Sequence, residues 1–336
     1  MFSKLIASFL ITFSVFLGAE LSNKYPNFSP NEIQGAANSF SRSQSAAVVD
    51  SESGLEVRPD LWSIFRDKTP QPQRIPLQRL PESENVPPPN IDAEAAISVT
   101  EKGRILFQKN ADQPLPVASL TKLLTALVVS DRIPLSETVG VNRNAIDTYG
   151  QMGGLVVGEE ISVESLLYIM LMDSSNDAAV ALAEAVEGRS SDGKIFPELM
   201  NAMAQKLGMT DSHFSDPAGL NPDNLSTASD LVKLIAADLN NPLIKKILGT
   251  DQIDVFSINN SIKHHLKNTN KLLDKTTGII GGKTGYTEEA GECMILIADA
   301  RKNSDRFFVV LLGAVSGMRF SETEKIVDWT RQNYGW

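Results

Sequence analysis

The stretch Pro116-Val-Ala-Ser-Leu-Thr-Lys-Leu-Leu-Thr-Ala-Leu127 decides both the fold and the chemistry of this chain. A polar approach gives way at Ser119 to an apolar, helix-forming run that continues to about Ser130. In a helix, positions i and i+3 share a face, so the Ser119 hydroxyl and the Lys122 amine are predicted to lie side by side. Free N–H groups and the positive end of the helix dipole favour negative charge developing at Ser119. A serine beside a lysine in that setting is a candidate activated nucleophile. A second Ser-x-x-Lys runs from Ser191 to Lys194. Its Ser-Ser-Asp-Gly context reads as a turn, with no helix to fix the geometry.

Upstream of Ser119, residues 95–100 and 104–108 read as short strands joined by Glu-Lys-Gly, a hairpin signal. Downstream, from roughly 134 to 250, the pattern is mainly helical. Residues 163–172, 178–186, 197–207 and 229–239 carry apolar side chains at helical spacing, with Thr227 or Ser229 capping the last. Strand-like segments return at 253–258, 279–283, 293–298 and 307–315. Residues 321–332 read as a closing amphipathic helix, with Ser321 and Glu324 at capping-box spacing. Strands at both ends and helices between them predict an α/β (α+β) domain. Its sheet is built from both ends of the chain, is flanked by helices and carries an inserted all-helical subdomain. Active sites favour the seam between two such lobes.

Two further stretches carry chemistry. Met172-Asp-Ser-Ser-Asn-Asp-Ala178 lies between two helical runs, and in a short non-helical connection Ser174 and Asn176 can face the same way. A hydroxyl and a carboxamide there can pass a proton and hold an amine or a carbonyl. Helix capping is the plainer reading, since Ser, Asn and Asp favour helix starts, and the two readings are compatible. Gly281-Gly-Lys-Thr-Gly-Tyr-Thr287 ends a strand. Its glycines admit close backbone approach, and Lys283 with Thr284 offers a cation and a hydroxyl to a carboxylate. Spacing excludes a phosphate-cradling loop, because Thr277 stands where that motif needs its first glycine.

Composition narrows the partners. A formal charge of −10 argues against general affinity for nucleic acid. The lone cysteine, Cys293, excludes an intramolecular disulfide and a cysteine-cluster metal site. Of the histidines, His213, His264 and His265, the adjacent pair would point to opposite sides of a strand. No metal or cofactor is expected. Lys4 precedes an uncharged, mostly apolar run, residues 5–19, that reads as an export signal. The run is shorter than the ~20 residues of a membrane span, and Leu17 spoils the small-residue cleavage pattern. Residues 1–20 are therefore either a signal peptide or a retained N-terminal membrane anchor, and the protein is expected outside the cytoplasmic membrane. Residues 21–92 show no sustained period and carry many prolines, so they are expected to be a disordered Pro-rich linker. As a coil they would reach about 45–50 Å. Leu61, Trp62, Ile64 and Phe65 stand out within it as a short docking element. The folded domain is expected over 93–336, with its helical subdomain at about 134–250.

In order, Ser119-x-x-Lys122, Ser174-x-Asn176 and Lys283-Thr284-Gly285 resemble the motif trio of the penicillin-interacting serine enzymes. More narrowly, the chain resembles the D-alanyl-D-alanine carboxypeptidase family of low-molecular-mass penicillin-binding proteins. The resemblance runs from about Ala95 to Trp329. It takes in Ser175-Asn-Asp-Ala-Ala-Val, Leu207-Gly-Met-Thr-Asp-Ser-His-Phe, Asp216-Pro-Ala-Gly-Leu and Asn268-Thr-Asn-Lys-Leu-Leu. It implies a β-lactamase/transpeptidase-like fold and a substrate class, peptidoglycan stem peptides ending in D-Ala-D-Ala. By resemblance, Ser119 would attack the carbonyl of the penultimate D-alanine and become acylated, with Lys122 as its base. A lysine ordinarily titrates near 10.4; Lys283, a second cation in a partly dry cleft, is expected to push Lys122 down. Ser174 would relay a proton to the leaving nitrogen, and Asn176 would hold Lys122 and the substrate backbone. Lys283 and Thr284, with Gly285 and Tyr286 beside them, would bind the terminal carboxylate. The N–H groups of Ser119 and Tyr286 would form the oxyanion hole, and β-lactam antibiotics would act as covalent inhibitors. The resemblance also implies work in the periplasm or cell wall.

The middle motif departs from the family in carrying Ser175 where many relatives have glycine. Some family members also carry a C-terminal β-rich domain and a membrane-binding tail, whereas here the residues after Gly285 suffice for a hairpin and one helix. Any anchor is therefore expected at residues 5–19. A D,D-endopeptidase of peptidoglycan cross-links would use the same residues and is the nearest alternative. A class A β-lactamase needs a Glu-x-x-Leu-Asn, and Glu198-Leu-Met-Asn is one residue short. A non-catalytic peptidoglycan-binding module would have no use for a serine beside a lysine.

Overall fold

The computed structural model describes residues 78–336 apart from 81–82, 84, 151–152, 190–192, 194, 259–260 and 301–304. The expected leader or anchor, the linker up to residue 77, its docking element and the Ser191 to Lys194 pair lie outside the described residues. Among the described residues no helix is long and apolar enough to cross a membrane.

After β1 (Gln78–Arg79), the hairpin of β2 (Ala95–Thr100) and β3 (Ile105–Lys109) leads through β4 (Leu115–Pro116) into a 3-10 turn at Ala118–Leu120. Helix α1 (Thr121–Arg132) follows, then β5 (Thr138–Gly140), α2 (Arg143–Ile146) and β6 (Glu160–Ser162). Next come α3 (Val163–Met172), α4 (Asn176–Glu187), α5 (Phe196–Lys206), β7 (Leu225–Ser226), α6 (Ala228–Asp238) and α7 (Pro242–Leu248). The chain closes with β8 (Gln252–Phe256), β9 (Lys263–Lys267), β10 (Ile279–Thr287), β11 (Gly291–Asp299), β12 (Arg306–Ala314), α8 (Arg319–Asn333) and β13 (Tyr334–Gly335). The caps follow side-chain chemistry: Ser162 starts α3, Thr227 starts α6 and Asn241 starts α7, each accepting a free N–H of the first turn.

Five antiparallel strands lie in the order β10-β11-β12-β2-β3. The two ends of the chain meet at the β12–β2 pair, where Leu312 faces Ala95 and Phe307 faces Thr100. Successive side chains of a strand point to opposite faces. Along β12, Phe307, Val309 and Leu311 join a core with Ile326 and Val327 of α8. Phe308, Val310 and Leu312 join the larger core that also holds Leu123, Leu124, Leu166, Leu182 and Ile235 from the helices. Each such side chain contributes about 1.5–3 kcal/mol on burial, and helices cover both faces of the sheet, as expected of an α/β (α+β) domain. The segment inserted at about 134–250 is not all helical, since it also holds the β5–β6 pair and β7, which pairs with β4.

Four further expectations shift. The folded body reaches back past residue 93: β1 pairs with β13, Trp329 Nε1 donates to Pro87 O at 2.8 Å and Lys109 Nζ donates to Ile91 O at 2.9 Å. Proline-rich backbone has no internal hydrogen bonds, so its carbonyls are free for these partners. The closing helix starts earlier than expected and forms no capping box: Ser321 Oγ bonds back to Met318 O, and Glu324 accepts from Thr276 Oγ1. A tight turn from Val315 to Met318 starts the helix there. The segment at 253–258 forms a separate two-stranded sheet with β9 instead of joining the main one. Finally, β10 continues through Thr287, so Lys283, Thr284 and Gly285 lie inside a paired edge strand, opposite Ile295, Met294 and Cys293.

Candidate active site

The three motifs converge where the 3-10 turn, the α3–α4 connection and the open edge of β10 meet. Lys122, fully buried one residue inside α1, places Nζ 2.8 Å from Ser119 Oγ, the i,i+3 contact read from the sequence. The same nitrogen lies 2.7 Å from Asn176 Oδ1 and 2.6 Å from Ala218 O. Lys283, also fully buried, donates to Ser174 Oγ and to Thr284 O, each at 2.8 Å. Thr284 Oγ1 pairs with Thr269 Oγ1 at 2.7 Å. Gly285 abuts Ser119: a Cβ there would lie 3.1 Å from both Ser119 N and Val117 O. Tyr286, just beyond, is 53% exposed.

Backbone strain marks both serines. Ala118, preceding Ser119, has φ 46°, and Ser174 has φ 61°. Non-glycine residues in this left-handed region cost of order 1–3 kcal/mol each and persist where surrounding contacts hold them. One holder of Ala118 is Gly219 (φ +83°), whose backbone presses on the Ala118 carbonyl so closely that a Cβ would fall 1.9 Å from the oxygen.

The structure gives Ser175 a role. It is the N-cap of α4, accepting from Ala178 N at 2.9 Å and donating to Asp177 Oδ1. Capping thus falls to Ser175, which frees Ser174 for the cleft. A Cβ on Gly153 would meet Ser175 Oγ at 2.6 Å, so the opposing loop makes room for the serine by carrying glycine. That loop also fixes Asn176, whose Nδ2 donates to Tyr149 O at 2.9 Å and Gly150 O at 3.0 Å. Asn176 thus has its carbonyl oxygen on Lys122 and its amide nitrogen on the loop.

Burial adds a larger cause to the expected repulsion between the lysines. Burial lowers Lys122 to about 7, against the nearby carboxylates Asp216 and Asp177, which favour its charged form. Lys283 is likewise held well below the usual lysine range, by burial first, then by Lys122 and Arg319. Burial is the largest cause that makes Lys122 a potential base.

Several contributors had no signal in the trio. Arg319 donates to Gly285 O and to Glu292 Oε1, both at 2.7 Å, placing a guanidinium behind the β10 motif. Only the packing of α8's start against β10 and β11 brings it there. The Asp216-Pro-Ala-Gly-Leu stretch stood in the sequence only as a flank of the resemblance, with nothing to announce its aim at Lys122. The histidines stay apart: His264 is buried against Glu159 and Gly153 O, His265 is exposed beside Asp254, and His213 bridges to Leu225. Cys293 is buried opposite Gly285 on β11, and burial raises its thiol to about 11, out of the range of a nucleophile at neutral pH.

The chain belongs to the D-alanyl-D-alanine carboxypeptidase family, Peptidase S11, whose pattern matches residues 82–316. It is 36% identical over 208 residues to the D-alanyl-D-alanine endopeptidase of Pseudomonas aeruginosa, covering 60% of this chain and 65% of the relative. It is 32% identical to D-alanyl-D-alanine carboxypeptidase DacF of Bacillus subtilis, covering 72% of this chain and 63% of the relative. The chain thus spans just under two thirds of these two relatives. Among solved structures, the Streptomyces K15 DD-transpeptidase is 30% identical, with a TM-score of 0.68 over 73% of this chain and 99% of that one.

Proposed function

We propose that this protein is a serine-type D-Ala-D-Ala carboxypeptidase acting on peptidoglycan stem peptides through an acyl-enzyme on Ser119. One observation carries the reading: the set of partners around Lys122. Two of them, Asn176 Oδ1 and Ala218 O, are carbonyl oxygens that only accept, and the third is a hydroxyl. A neutral amine has two N–H groups for the carbonyls and one lone pair left, which faces the Ser119 hydroxyl. Lys122 takes the Ser119 proton as Oγ bonds to the carbonyl carbon of the penultimate D-alanine. Charge on the former carbonyl oxygen falls beside Ser119 N and the Gly285–Tyr286 backbone, where N–H donors stabilise it. Ser174, accepting from Lys283, gives its O–H proton to the leaving nitrogen of D-alanine and receives in exchange the one Lys122 took from Ser119, so the C–N bond breaks and Lys122 is neutral again. Water then attacks the ester, giving up a proton to Lys122, and the Ser119 hydroxyl is restored. Lys283 and Thr284, with Arg319 behind them, supply the field for the terminal carboxylate. A β-lactam would acylate the same oxygen. The reaction places the protein on the extracytoplasmic side of the membrane, where its substrate lies.

Endopeptidase action on cross-links is the second reading, supported by the endopeptidase relative at 36% identity. Incubation with a pentapeptide and a cross-linked muropeptide side by side separates the two. Loss of one D-alanine from the first with the second intact is expected; cleavage of the cross-link alone would favour the endopeptidase. Failure of both substrates, and of covalent labelling by a fluorescent penicillin that Ser119→Ala abolishes, would refute the assignment.

A further inference from the structure

The loop that follows Asp216 belongs to none of the three motifs, yet it touches both Lys122 and the Ser119 turn. Asp216 Oδ1 accepts from Ala218 N at 2.7 Å, Gly219 N at 2.7 Å and Leu220 N at 3.3 Å, and Oδ2 accepts from Asn221 N at 2.7 Å. The N–H of Gly219 and the C=O of Ala218 are the two ends of one peptide group. That carbonyl accepts from Lys122 Nζ at 2.6 Å. A single amide thus has a carboxylate on its N–H end and the lysine on its C=O end. Chained hydrogen bonds polarise one another, so the carboxylate makes Ala218 O a stronger acceptor and favours the protonated amine.

We propose that Asp216 is a positioning residue that sets the basicity of Lys122 through the Ala218–Gly219 peptide group. The inference rests on Lys122 being the base for Ser119. The charged groups facing Lys122 are Asp216 from this loop, Asp177 from α4 and Lys283 from β10, with Arg319 behind Lys283. Both carboxylates oppose burial; without Asp216, Asp177 opposes it alone and the amine releases its proton at lower pH. The amine is then neutral over a wider range but is a weaker base. The loop backbone has other supports. Asn224 Oδ1 accepts from Ser215 N and Asp216 N, and its Nδ2 donates to Asp216 O and Thr121 Oγ1. Thr125 Oγ1 donates to Pro217 O at 2.7 Å. Removing the charge at 216 therefore leaves the loop tied to α1.

The test is the pH dependence of acylation by a fluorescent penicillin, with thermal melting followed in parallel. Wild type must label on Ser119; if it does not, the underlying reading fails before Asp216 is tested. Asp216→Asn keeps the shape and the Oδ1 acceptor but removes the charge. Its acid limb should move down by about one pH unit, the scale of a nearby opposite charge, with a several-fold lower plateau at high pH. Asp216→Glu keeps the charge and should retain the wild-type midpoint even where its plateau falls. A merely structural role would lower the plateau and leave the limb in place in both variants. An unmoved limb in Asp216→Asn, or a shifted one in Asp216→Glu, overturns the proposal.

Discussion

Replacing Lys122 by methionine separates the cost of burying the amine from its use. Moving the group from its ordinary 10.5 down to about 7 is worth about 5 kcal/mol, at ~1.36 kcal/mol per pH unit. Below pH 7 the amine is charged in both the folded and unfolded chains, so the fold bears the whole cost. Between about 7 and 10.5 the unfolded chain holds a proton that the folded one has released. Stability therefore climbs with pH there, by up to about 1.4 kcal/mol per unit from this group. Above 10.5 the amine is neutral in both states and the cost is gone. Methionine is of similar length and uncharged, but it strands Asn176 Oδ1 and Ala218 O, at about 1–3 kcal/mol for each buried acceptor. The variant should be inactive. At pH 6 it should fall between about 1 kcal/mol less and about 3 kcal/mol more stable than wild type, the balance of those two figures. Its stability should also climb less steeply from pH 7 to 10 by about one proton. Lys283 contributes a rise of its own in both proteins. Urea unfolding of both proteins at pH 6, 8 and 9.5 measures the difference. Parallel curves would refute a burial-depressed amine at position 122.

Two further outcomes follow from packing and burial. Gly153→Ala drives a methyl to 2.6 Å from Ser175 Oγ and 2.7 Å from Ile169 Cγ2. It should lose about 1–3 kcal/mol by overpacking, and Ser175→Gly should restore part of that; a double-mutant cycle with no coupling would dissociate the two positions. Asp238 is buried with neither carboxylate oxygen partnered, and burial raises it well above the usual carboxylate range. The folded chain then holds a proton that the unfolded chain loses above its ordinary 3.8, so stability falls as pH rises from that point. Asp238→Asn should be more stable than wild type at pH 7 and lose that part of the slope; melting curves at pH 4.5 and 7 check both.

The architecture was legible because its signals were periodic. The apolar spacing of residues 163–172 gave α3 to the residue, and strand patterns at both chain ends foretold one sheet. Ser119 and Lys122 were legible for a similar reason: one local geometry, the helical i,i+3 relation, brings them together. The contacts that fix the chemistry are non-local and often backbone. Ala218 O, Tyr149 O and Gly150 O carry no side-chain signature, so no residue type announced them. Arg319 reaches the site through the packing of α8, which a linear reading cannot provide. The misplaced capping box at Ser321 fell to a turn at Val315–Met318 that starts the helix earlier. The Pro-rich stretch before residue 93 lacked periodicity, yet Pro87 and Ile91 found donors in Trp329 and Lys109. The source of the low lysine also needed coordinates. Two cations in one cleft suggested mutual repulsion, whereas full burial of Lys122 between two carboxylates makes desolvation the larger effect.

The most direct test of that effect is a carbon-13 titration of the lysine ε-carbons in the folded, substrate-free protein, with Lys122 assigned by its loss in Lys122→Met. A resonance with a midpoint near 7, missing from the variant, is the predicted result. A Lys122 resonance that titrates near 10 with the surface lysines would leave the Ser119 hydroxyl without a base and contradict the mechanism.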